Sequence, residues 1–565
     1  MELLDARRLT GKNLVWAHPG ATANLCLDEG EDAEAIAGAW RAIAREVLNA
    51  VGWTAERATT YQVMGGLCLA VSAPIDALYA AVDLIEHSVA LLLERYAGTT
   101  LEEATEDAVA RLRQVIEEER NPALLTLRDA AGARGVAFFS DDDEVSAGIG
   151  RGSHTWPVTD LPTEVPENTF DIPVGLVTGT NGKTTTVRLL TQMIRAAGLK
   201  AGLSSTDWIG VDDQIIDRGD YAGPGGARAI ARQREVDIAV LETARGGLLR
   251  RGLGVQRADA ALITNIGEDH LGDFGSRSVD ELLAVKWVVT HALDAAGHAV
   301  LNADDARLVA RAASHPPASP ITWFTLFGDT PFIHMHLAAG GSAAYARNGK
   351  TLCFAEGEAE SEIIDVDDVP ITLGGAARHN VANALAAIAM GKALGLDTLA
   401  VESGLRHFTA DHNPGRCNLF TVDDGVEVLL DFAHNVDAMQ AIFDIAQART
   451  AKRRALCFCQ AGDRPDQDIR ALAHAAWRIG LERVVVSELP DYRRGRAPGE
   501  VNQIISQALL DVGASTEQLA YHQTEVASLR DALAWAQPGD LVIMLGLGEQ
   551  TALLEELRSR AAPGP

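Results

Sequence analysis

The chain has 565 residues, of which 47% are hydrophobic and 22% are charged, a balance typical of a folded globular protein. This length exceeds what one hydrophobic core normally serves, so we expect two to four domains. The formal net charge of -29 argues against broad binding to nucleic acid or anionic membranes, although it leaves room for a basic pocket. The sequence shows neither a charged-then-apolar leader nor an apolar run of about 18 residues, so we expect a cytoplasmic protein.

Six cysteines are scattered along the chain, and two of them, Cys457 and Cys459, form a C-x-C pair. This spacing differs from the paired C-x-x-C motifs of zinc sites, and no disulfide framework is evident. We therefore predict that the cysteines are mainly small buried hydrophobic residues.

The first region, residues 1–169, is predicted to be an α+β domain followed by a linker. Apolar residues recur at helical spacing in three segments, which are residues 31–52, 75–98 and 101–120. The segment from Ser140 to Asn168 is rich in acidic residues, Gly, Ser and Pro, which is typical of a linker.

The remaining chain is predicted to form two α/β domains, over residues 170–408 and 409–565. Short apolar runs that end in polar loops are typical of buried parallel strands. They occur in the middle region as FDIPVGLVTG, DIAVLET and AALITNIG, and in the last region as VEVLLDFAH, RALCFCQAG, RVVVSE and DLVIMLGLG. The predicted fold class is α/β, with mostly parallel sheets flanked by helices and a Rossmann-like final domain.

The stretch VTGTNGKTTT, residues 177–186, lies between a predicted strand and a predicted helix. A glycine-rich turn at this point aims backbone N–H groups at an anion, and the helix N-terminus adds a positive dipole. Lys183 can reach the outer phosphates of a nucleotide, and the Thr184 hydroxyl can bind Mg²⁺. The usual P-loop pattern has a glycine at position 177, where this chain has Val177, so the motif is a variant.

Polar residues follow the next two predicted strands. Glu242 ends the first, and Asn265, Asp269 and His270 follow the second. In an open parallel sheet, ligands bind beyond the carboxyl ends of the strands, so these side chains are expected near Lys183. A carboxylate and an imidazole there are candidate ligands for the Mg²⁺ of a triphosphate, whereas a helix cap and a loop histidine are the structural alternatives.

With these residues the sequence resembles the Mur ligase family, whose members form amide bonds with ATP. The matching motifs are TGTNGKTTT, LETARGG, TNIGEDHLG, AVK, HNVANALAAIA, NPGRCNLF and DFAHNVDAM. The resemblance covers roughly residues 170 to 560. It implies a P-loop Mur ligase central domain, a C-terminal α/β domain, and ATP and Mg²⁺ as cofactors.

The resemblance also implies roles for individual residues. The residues implied to bind nucleotide are Gly179, Thr180, Asn181, Gly182, Lys183, Thr184, Thr185, Asn380, Asn383, Arg416, Asp431, His434 and Asn435. The residues implied to bind metal are Thr184, Glu242, His270 and Lys286, and the catalytic set is Lys183, Glu242, His270 and Lys286. Lys286 occupies a position that is carbamylated in many family members, and its structural alternative is a solvated helix lysine.

Within that family, the chain resembles the cyanophycin synthetases most closely, in both its first region and its Mur-like part. Those enzymes have an ATP-grasp domain between the two parts, where this chain has only the short acidic segment. The resemblance therefore implies the unit that ligates a side-chain carboxylate, without the unit that extends a backbone. The relatives can carry H-x-x-E-H on an N-terminal helix, whereas this chain has Asp83 in place of the first histidine, before Glu86 and His87. We favour a polar stripe on a packing helix over a metal site there.

The predicted function is an ATP-dependent ligase that joins a carboxylate to an amino acid or similar amine through an acyl phosphate. The alternative is a catalytically silent nucleotide-binding partner or regulator of a polymer-synthesising enzyme. Two arginine-bearing stretches are candidates for holding a carboxylate acceptor, namely GPGGAR and the run Arg245, Arg250 and Arg251. Candidates for holding an arginine-like amine are Asp463, Asp466 and Asp468. A homodimer or homotetramer is expected.

Overall fold

The computed structural model describes residues 1–101, 103–268, 278–423 and 425–561. It divides into two compact units, the first comprising Met1–Tyr345, Phe354–Ser361 and Ala386–Gly404, and the second Ala346–Cys353, Glu362–Leu385 and Leu405–Pro565. The predicted boundaries after residues 169 and 408 stay predictions. In the part of the chain that is described, no helix is both long and apolar enough to cross a membrane.

The first unit begins with an antiparallel sheet of order β1-β2-β4-β3, on which two helices pack. The elements are β1 Glu2–Leu9, β2 Gly20–Cys26, α1 Ala33–Ala50, β3 Ala58–Val63, β4 Gly66–Ser72, α2 Leu78–Ala97, α3 Thr105–Glu119 and α4 Pro122–Arg134. Asp32 caps α1 by accepting the backbone N–H groups of Glu34 and Ala35. Trp40 of α1 is fully buried and donates its indole N–H to Ser88 Oγ of α2 at 2.9 Å, so the two helices are joined inside the core.

The segment that composition predicts to be a linker folds instead into a small antiparallel sheet of order β5-β6-β7. Its strands are β5 Phe138–Ser140, β6 Glu144–Ala147 and β7 His154–Pro157. The turn acid Asp141 accepts the backbone N–H groups of Asp143 and Glu144, so a polar, acid-rich sequence closes a hairpin here. Strands of three and four residues are too short to show a clear alternation in the sequence, which explains why they are not predicted.

The larger sheet has the central strand order β11-β10-β9-β12-β8-β13-β14-β15-β16, and the division between the units passes through the strands that come next in sequence. The elements are β8 Val174–Thr178, α5 Lys183–Ala196, β9 Ala201–Ser204, β10 Trp208–Val211, β11 Gln214–Arg218, α6 Pro224–Ala231, β12 Ile238–Glu242, α7 Arg245–Arg251, β13 Ala260–Ile263, α8 Val279–Trp287, β14 His298–Asn302, α9 Ala306–Ser314, β15 Ile321–Thr325, α10 Pro331–Ala338, β16 Ser342–Arg347, β17 Thr351–Glu356, β18 Ala359–Asp365, α11 Arg378–Ala393 and α12 Thr398–Arg406. The strands from β9 to β16 through β12 and β8 pair in parallel. The prediction of a mostly parallel sheet flanked by helices is confirmed.

The second unit contains a sheet of order β19-β20-β24-β21-β22-β23, parallel except for the first pair. Its elements are β19 Asn418–Val422, β20 Val426–Asp431, α13 Val436–Ala448, β21 Arg454–Phe458, α14 Asp466–Trp477, β22 Arg483–Ser487, α15 Glu500–Asp511, β23 Leu519–His522, α16 Glu525–Trp535, β24 Leu541–Leu545 and α17 Gln550–Arg560. Helices cover both faces of this sheet, because α13, α14 and α15 contribute to one core cluster while α16 and α17 contribute to another. This arrangement confirms the predicted Rossmann-like α/β domain.

Candidate functional site

The loop between β8 and α5 has the backbone of a phosphate cradle. Gly179 has φ +143° and Gly182, which precedes α5, has φ +86°, and both values favour glycine. A Cβ on Gly179 would lie 1.8 Å from Thr264 Oγ1, so the loop and the end of β13 approach too closely for any side chain. The sequence prediction of a strand, a glycine turn and a helix at this point is therefore correct in its local structure.

The loop is held in shape by the segment that follows β13. Asn265 accepts the Asn181 backbone N–H at its Oδ1 at 2.9 Å and donates its amide to Asn181 O at 3.1 Å. Thr180 donates its backbone N–H to Asn265 O, and Thr264 Oγ1 donates to Asn181 O. Thr185 is buried in the first turn of α5 behind the loop. These contacts form without ligand, so the loop is pre-organised by its own chain.

Glu242 ends β12, the strand next to β8, and is only 1% exposed. Its Oε2 accepts the hydroxyl of Thr184 at 2.9 Å and lies 3.4 Å from the backbone nitrogen of Thr206. Thr206 also brings its Oγ1 to 3.2 Å from Thr184 Oγ1. The oxygen atoms of these three residues thus meet beyond the carboxyl ends of neighbouring strands, which is the position expected for a ligand in an open parallel sheet.

Two lysines act on the carbonyl groups of the same loop. Lys286 in α8 is 5% exposed and donates from Nζ to Gly179 O at 2.7 Å. Lys183, which is half-buried, donates from Nζ to Thr180 O at 2.9 Å. Lys286 is therefore a buried residue of the site and differs from the solvated helix lysine that was the structural alternative.

Sequence reasoning missed two contributors to this site. Thr206 lies in the short connection between β9 and β10, where the run Ser-Ser-Thr at the end of a strand beside β12 was the available signal. Arg188 of α5 is 3% exposed, pairs with Asp207 at 2.5 Å and stacks on Trp208 with its guanidinium carbon 4.1 Å from the ring centroid. This packing fixes the connection that carries Thr206. Asp269 and His270 lie outside the described residues.

The second unit groups four of the predicted nucleotide residues around the end of β20. Asp431 Oδ2 accepts the Cys417 backbone N–H at 2.6 Å, and the Arg416 guanidinium carbon lies 4.2 Å above the Phe432 ring centroid. Burial raises the pKa of Asp431 to about 6, while Arg416 opposes this shift. His434 lies within 3.1 Å of Phe432 O through Nδ1, and Asn435 caps α13 by accepting the Ala438 N–H.

Asn380 and Asn383 are both buried near the start of α11. Asn380 donates its amide to Ile371 O at 2.9 Å and accepts the amide of Asn383 at 3.1 Å. Both side chains therefore have a structural partner. Their predicted contact with a base stays a prediction.

A buried carboxylate that the sequence did not reveal fixes the loop after β24. Glu525, which is fully buried, accepts the backbone N–H groups of Leu547, Gly548 and Glu549 at 2.6, 2.9 and 2.6 Å. The neighbouring Gly546 donates to Asp431 O at 2.9 Å, so this loop adjoins the nucleotide candidate. A lone glutamate at the start of a helix gives no sequence signal for such a role.

The other candidate clusters form ion pairs. Asp83 pairs with Arg111 at 3.4 Å, Glu86 is exposed and His87 is buried. Among the described residues, no group of three or more His, Cys, Asp or Glu side chains is placed to hold a metal ion, which supports the polar-stripe interpretation. Asp466 pairs with Arg496 at 2.7 Å. All six cysteines are free thiols, and five of them are buried.

The P-loop, the buried carboxylate at the end of the adjacent strand and the second α/β sheet define a nucleotide-binding protein class, and the comparison with family models makes it specific. Residues 177–391 match the Mur ligase middle domain, and residues 415–548 match the Mur ligase glutamate ligase domain. The chain belongs to the Mur ligase family.

Within the curated proteins, the chain is similar to cyanophycin synthetases. It is 35% identical over 415 residues to the cyanophycin synthetase of Synechocystis sp. and likewise 35% identical over 415 residues to that of Geminocystis herdmanii. Each match covers 71% of this chain and 46% of the relative, so the chain spans about half the length of these relatives.

Two solved structures illustrate the likeness in fold. E. coli FolC in complex with DHPP and ADP has a TM-score of 0.49 at 17% identity, and the match covers 68% of this chain and 89% of that chain. MurF from Acinetobacter baumannii has a TM-score of 0.47 at 18% identity, with 69% and 76% covered.

Proposed function

We propose that this chain is an ATP-dependent amide ligase that activates a carboxylate as an acyl phosphate and joins it to an amino acid or similar amine. The observation that carries the proposal is the hydrogen bond from the Thr184 hydroxyl to the buried Glu242 carboxylate beside the glycine loop, at 2.9 Å. A P-loop threonine and an anionic side chain at the end of the neighbouring strand are the pair that a nucleotide-bound cation requires.

The donor set fits Mg²⁺, because Thr184, Glu242 and Thr206 present oxygen atoms, which are the ligands that hard cations prefer. When bound, the ion would neutralise charge on the phosphates. Lys286 donates to Gly179 O as an amine, and its carbamylation stays a prediction.

In the proposed reaction, an oxygen of the acceptor carboxylate attacks the terminal phosphorus, and ADP leaves. The amine then attacks the acyl carbon, phosphate leaves, and the amine nitrogen loses a proton. Phosphoryl transfer depends chiefly on alignment and positive charge, which the loop N–H groups and Lys183 are placed to supply. We further propose that Arg416 and Asp431 of the second unit contact the phosphates and ribose, as the family resemblance implies.

The test is ADP release by the full chain, measured in a coupled assay with pooled amino acids and acidic dipeptides, and with mass spectrometry of the products. We expect ADP release to require both an amine and a carboxylate, and Lys183→Ala to abolish it. Binding of ATP without turnover across the pool would contradict the proposal and favour the alternative of a silent nucleotide-binding regulator.

A further inference from the structure

The first strand of the chain and the helix that follows Glu242 are joined by backbone hydrogen bonds. The N–H groups of Thr10 and Gly11 donate to Arg251 O at 2.9 and 3.3 Å, and Leu253 donates to Lys12 O at 2.7 Å. Arg7 Nε donates to Leu249 O at 2.9 Å. The carbonyl groups at the end of α7 are therefore satisfied by the N-terminal segment.

Glycines permit this close approach. A Cβ on Gly11 would lie 2.2 Å from Leu253 O, and a Cβ on Gly252 would lie 2.6 Å from Lys12 O. Side chains on both sides of this seam are consequently held at fixed positions, in the same unit as the glycine loop.

Three arginines converge along the seam from β1, α6 and the end of α7. Arg8 stacks on Tyr79 with its guanidinium carbon 3.7 Å from the ring centroid, and Arg251 donates from Nη1 to Arg8 O at 3.4 Å. Burial lowers the pKa of Arg228 and that of Arg251, and the positive charge of Arg8 adds to both shifts. A concentration of cations is notable in a chain of net charge -29.

The acids beside these arginines leave hydrogen-bond donors available. Arg8 Nη1 lies 3.6 Å from Asp142 Oδ1, and Arg228 Nε lies 3.6 Å from Asp141 Oδ2, so both pairs are longer than a hydrogen bond. Asp141 is already engaged by Arg232 at 2.7 Å, and Asp142 is 71% exposed. The Nε of Arg228 is buried and has no hydrogen-bond partner in the described chain.

We propose that Arg8, Arg228 and Arg251 form a binding site for a carboxylate of an acidic peptide acceptor, remote from the carboxylate that reacts. Guanidinium groups bind carboxylates through paired N–H donors, which explains the chemistry of the site. The assignment as an acceptor subsite rests on the proposed ligase function.

The spacing along α7 explains why a peptide fits better than a free amino acid. This helix of 7 residues begins three positions after Glu242 and ends at Arg251. Its ends are roughly 10 Å apart, and an extended peptide covers about 3.3 Å per residue, so about three residues span the distance. An acceptor with acidic side chains at that spacing can therefore reach both positions.

The experiment measures binding of a fluorescein-labelled hexa-aspartate peptide to the full chain by anisotropy, without nucleotide. We expect saturable binding that weakens with added salt, and a loss of about tenfold in affinity for Arg8→Gln and for Arg228→Gln. The matched control is Arg41→Gln, a change at an exposed arginine of α1 that pairs with Glu34. Thermal unfolding of each variant establishes that it is folded.

Two arms separate the sources of carboxylate. Free aspartate at the same carboxylate concentration is expected to compete poorly, whereas unlabelled hexa-aspartate competes fully. Equal competition by free aspartate, or equal binding by wild type and both folded arginine variants, overturns the peptide site.

The failure of this site is distinguishable from failure of the ligase function. Lys183→Ala is expected to retain peptide binding while losing nucleotide turnover. If ADP release depends on an acidic acceptor but the acceptor KM is unchanged in Arg8→Gln and Arg228→Gln, the ligase function stands and the seam site fails. If the peptide binds through these arginines but no ADP is released, the site stands as a peptide-binding site and its role as an acceptor subsite fails.

Discussion

Thr184 and Glu242 are 58 positions apart in sequence, yet the hydroxyl of the first donates to the buried carboxylate of the second at 2.9 Å. The contact arises because β8 and β12 pair in parallel, with Glu242 opposite Val177, so both chains end at the same edge of the sheet. Such an edge brings loop residues together without any nearby sequence pattern.

Replacing Glu242 with Gln tests the charge of this carboxylate while preserving its size. We expect ADP release to fall at least about a hundredfold, because one negative charge next to the nucleotide cation is lost. The rate is measured in the coupled assay at saturating ATP. Glu235→Gln is the control, since Glu235 is 70% exposed and pairs only with Lys200 among the described residues. A rate within threefold of wild type would remove Glu242 from the proposed site.

Removing the amine of Lys286 should loosen the glycine loop. Lys286→Met leaves Gly179 O without its buried donor, so we expect the free energy of unfolding to fall by about 1–3 kcal/mol and nucleotide affinity to fall at least about tenfold. Denaturant titration and calorimetric binding of an ATP analogue measure the two effects. Lys392→Met controls for the substitution itself, because Lys392 is half-buried in α11 and reaches only Thr398 Oγ1 at 3.4 Å. Unchanged affinity in Lys286→Met would contradict a role in shaping the loop.

A methyl group on Gly179 should distort the loop. The new Cβ would meet Thr264 Oγ1 at 1.8 Å, in addition to the strain of φ +143°, so we expect loss of nucleotide binding. Gly198→Ala separates strain from collision, because Gly198 has φ +75° and nothing within 4 Å of its would-be Cβ. Calorimetry should show that the control retains affinity while Gly179→Ala loses it. Equal binding by both variants would show that the contact with Thr264 does not constrain the loop.

Asp431 should make stability depend on pH. Its pKa is raised by burial from 3.8 to about 6, so the native state holds a proton that the unfolded chain releases between these values. Stability contributed by this group is present below pH 4 and is lost as pH rises through 6, with a slope of at most about 1.4 kcal/mol per pH unit. Urea unfolding at several pH values measures the slope in wild type and in Asp431→Asn, which should lack this component. Identical slopes in the two proteins would contradict the raised pKa.

Replacing Glu525 should destabilise the loop after β24. Glu525→Ala leaves three backbone N–H groups without their buried acceptor, so we expect the free energy of unfolding to fall by about 3–5 kcal/mol. Glu555→Ala in α17, at an exposed or half-buried position, is the control for loss of a carboxylate. Denaturant unfolding that gives the same value for both variants would contradict the structural role of Glu525.

The sequence alone determined the features that local chemistry imposes. The strand, glycine turn and helix around Lys183 follow from residue types whose backbone preferences are strong, and the parallel strands follow from short apolar runs that end in polar loops. The motifs in chain order also identified the Mur ligase family. The segment at Ser140 was misjudged, because strands of three or four residues carry too little pattern to outweigh an acidic, glycine-rich composition.

Only the tertiary structure decided which distant residues share a surface. The burial of Lys286 against Gly179 O, the approach of Thr206 to Glu242, and the meeting of Arg8 with Arg228 and Arg251 depend on strand order and on the docking of β1 against α7. Contacts of this kind join residues tens to hundreds of positions apart, and the energy that selects them comes from packing the whole unit. Local propensities contain no record of that packing, which is why the sequence named most of the candidates but not the neighbours that hold them in place.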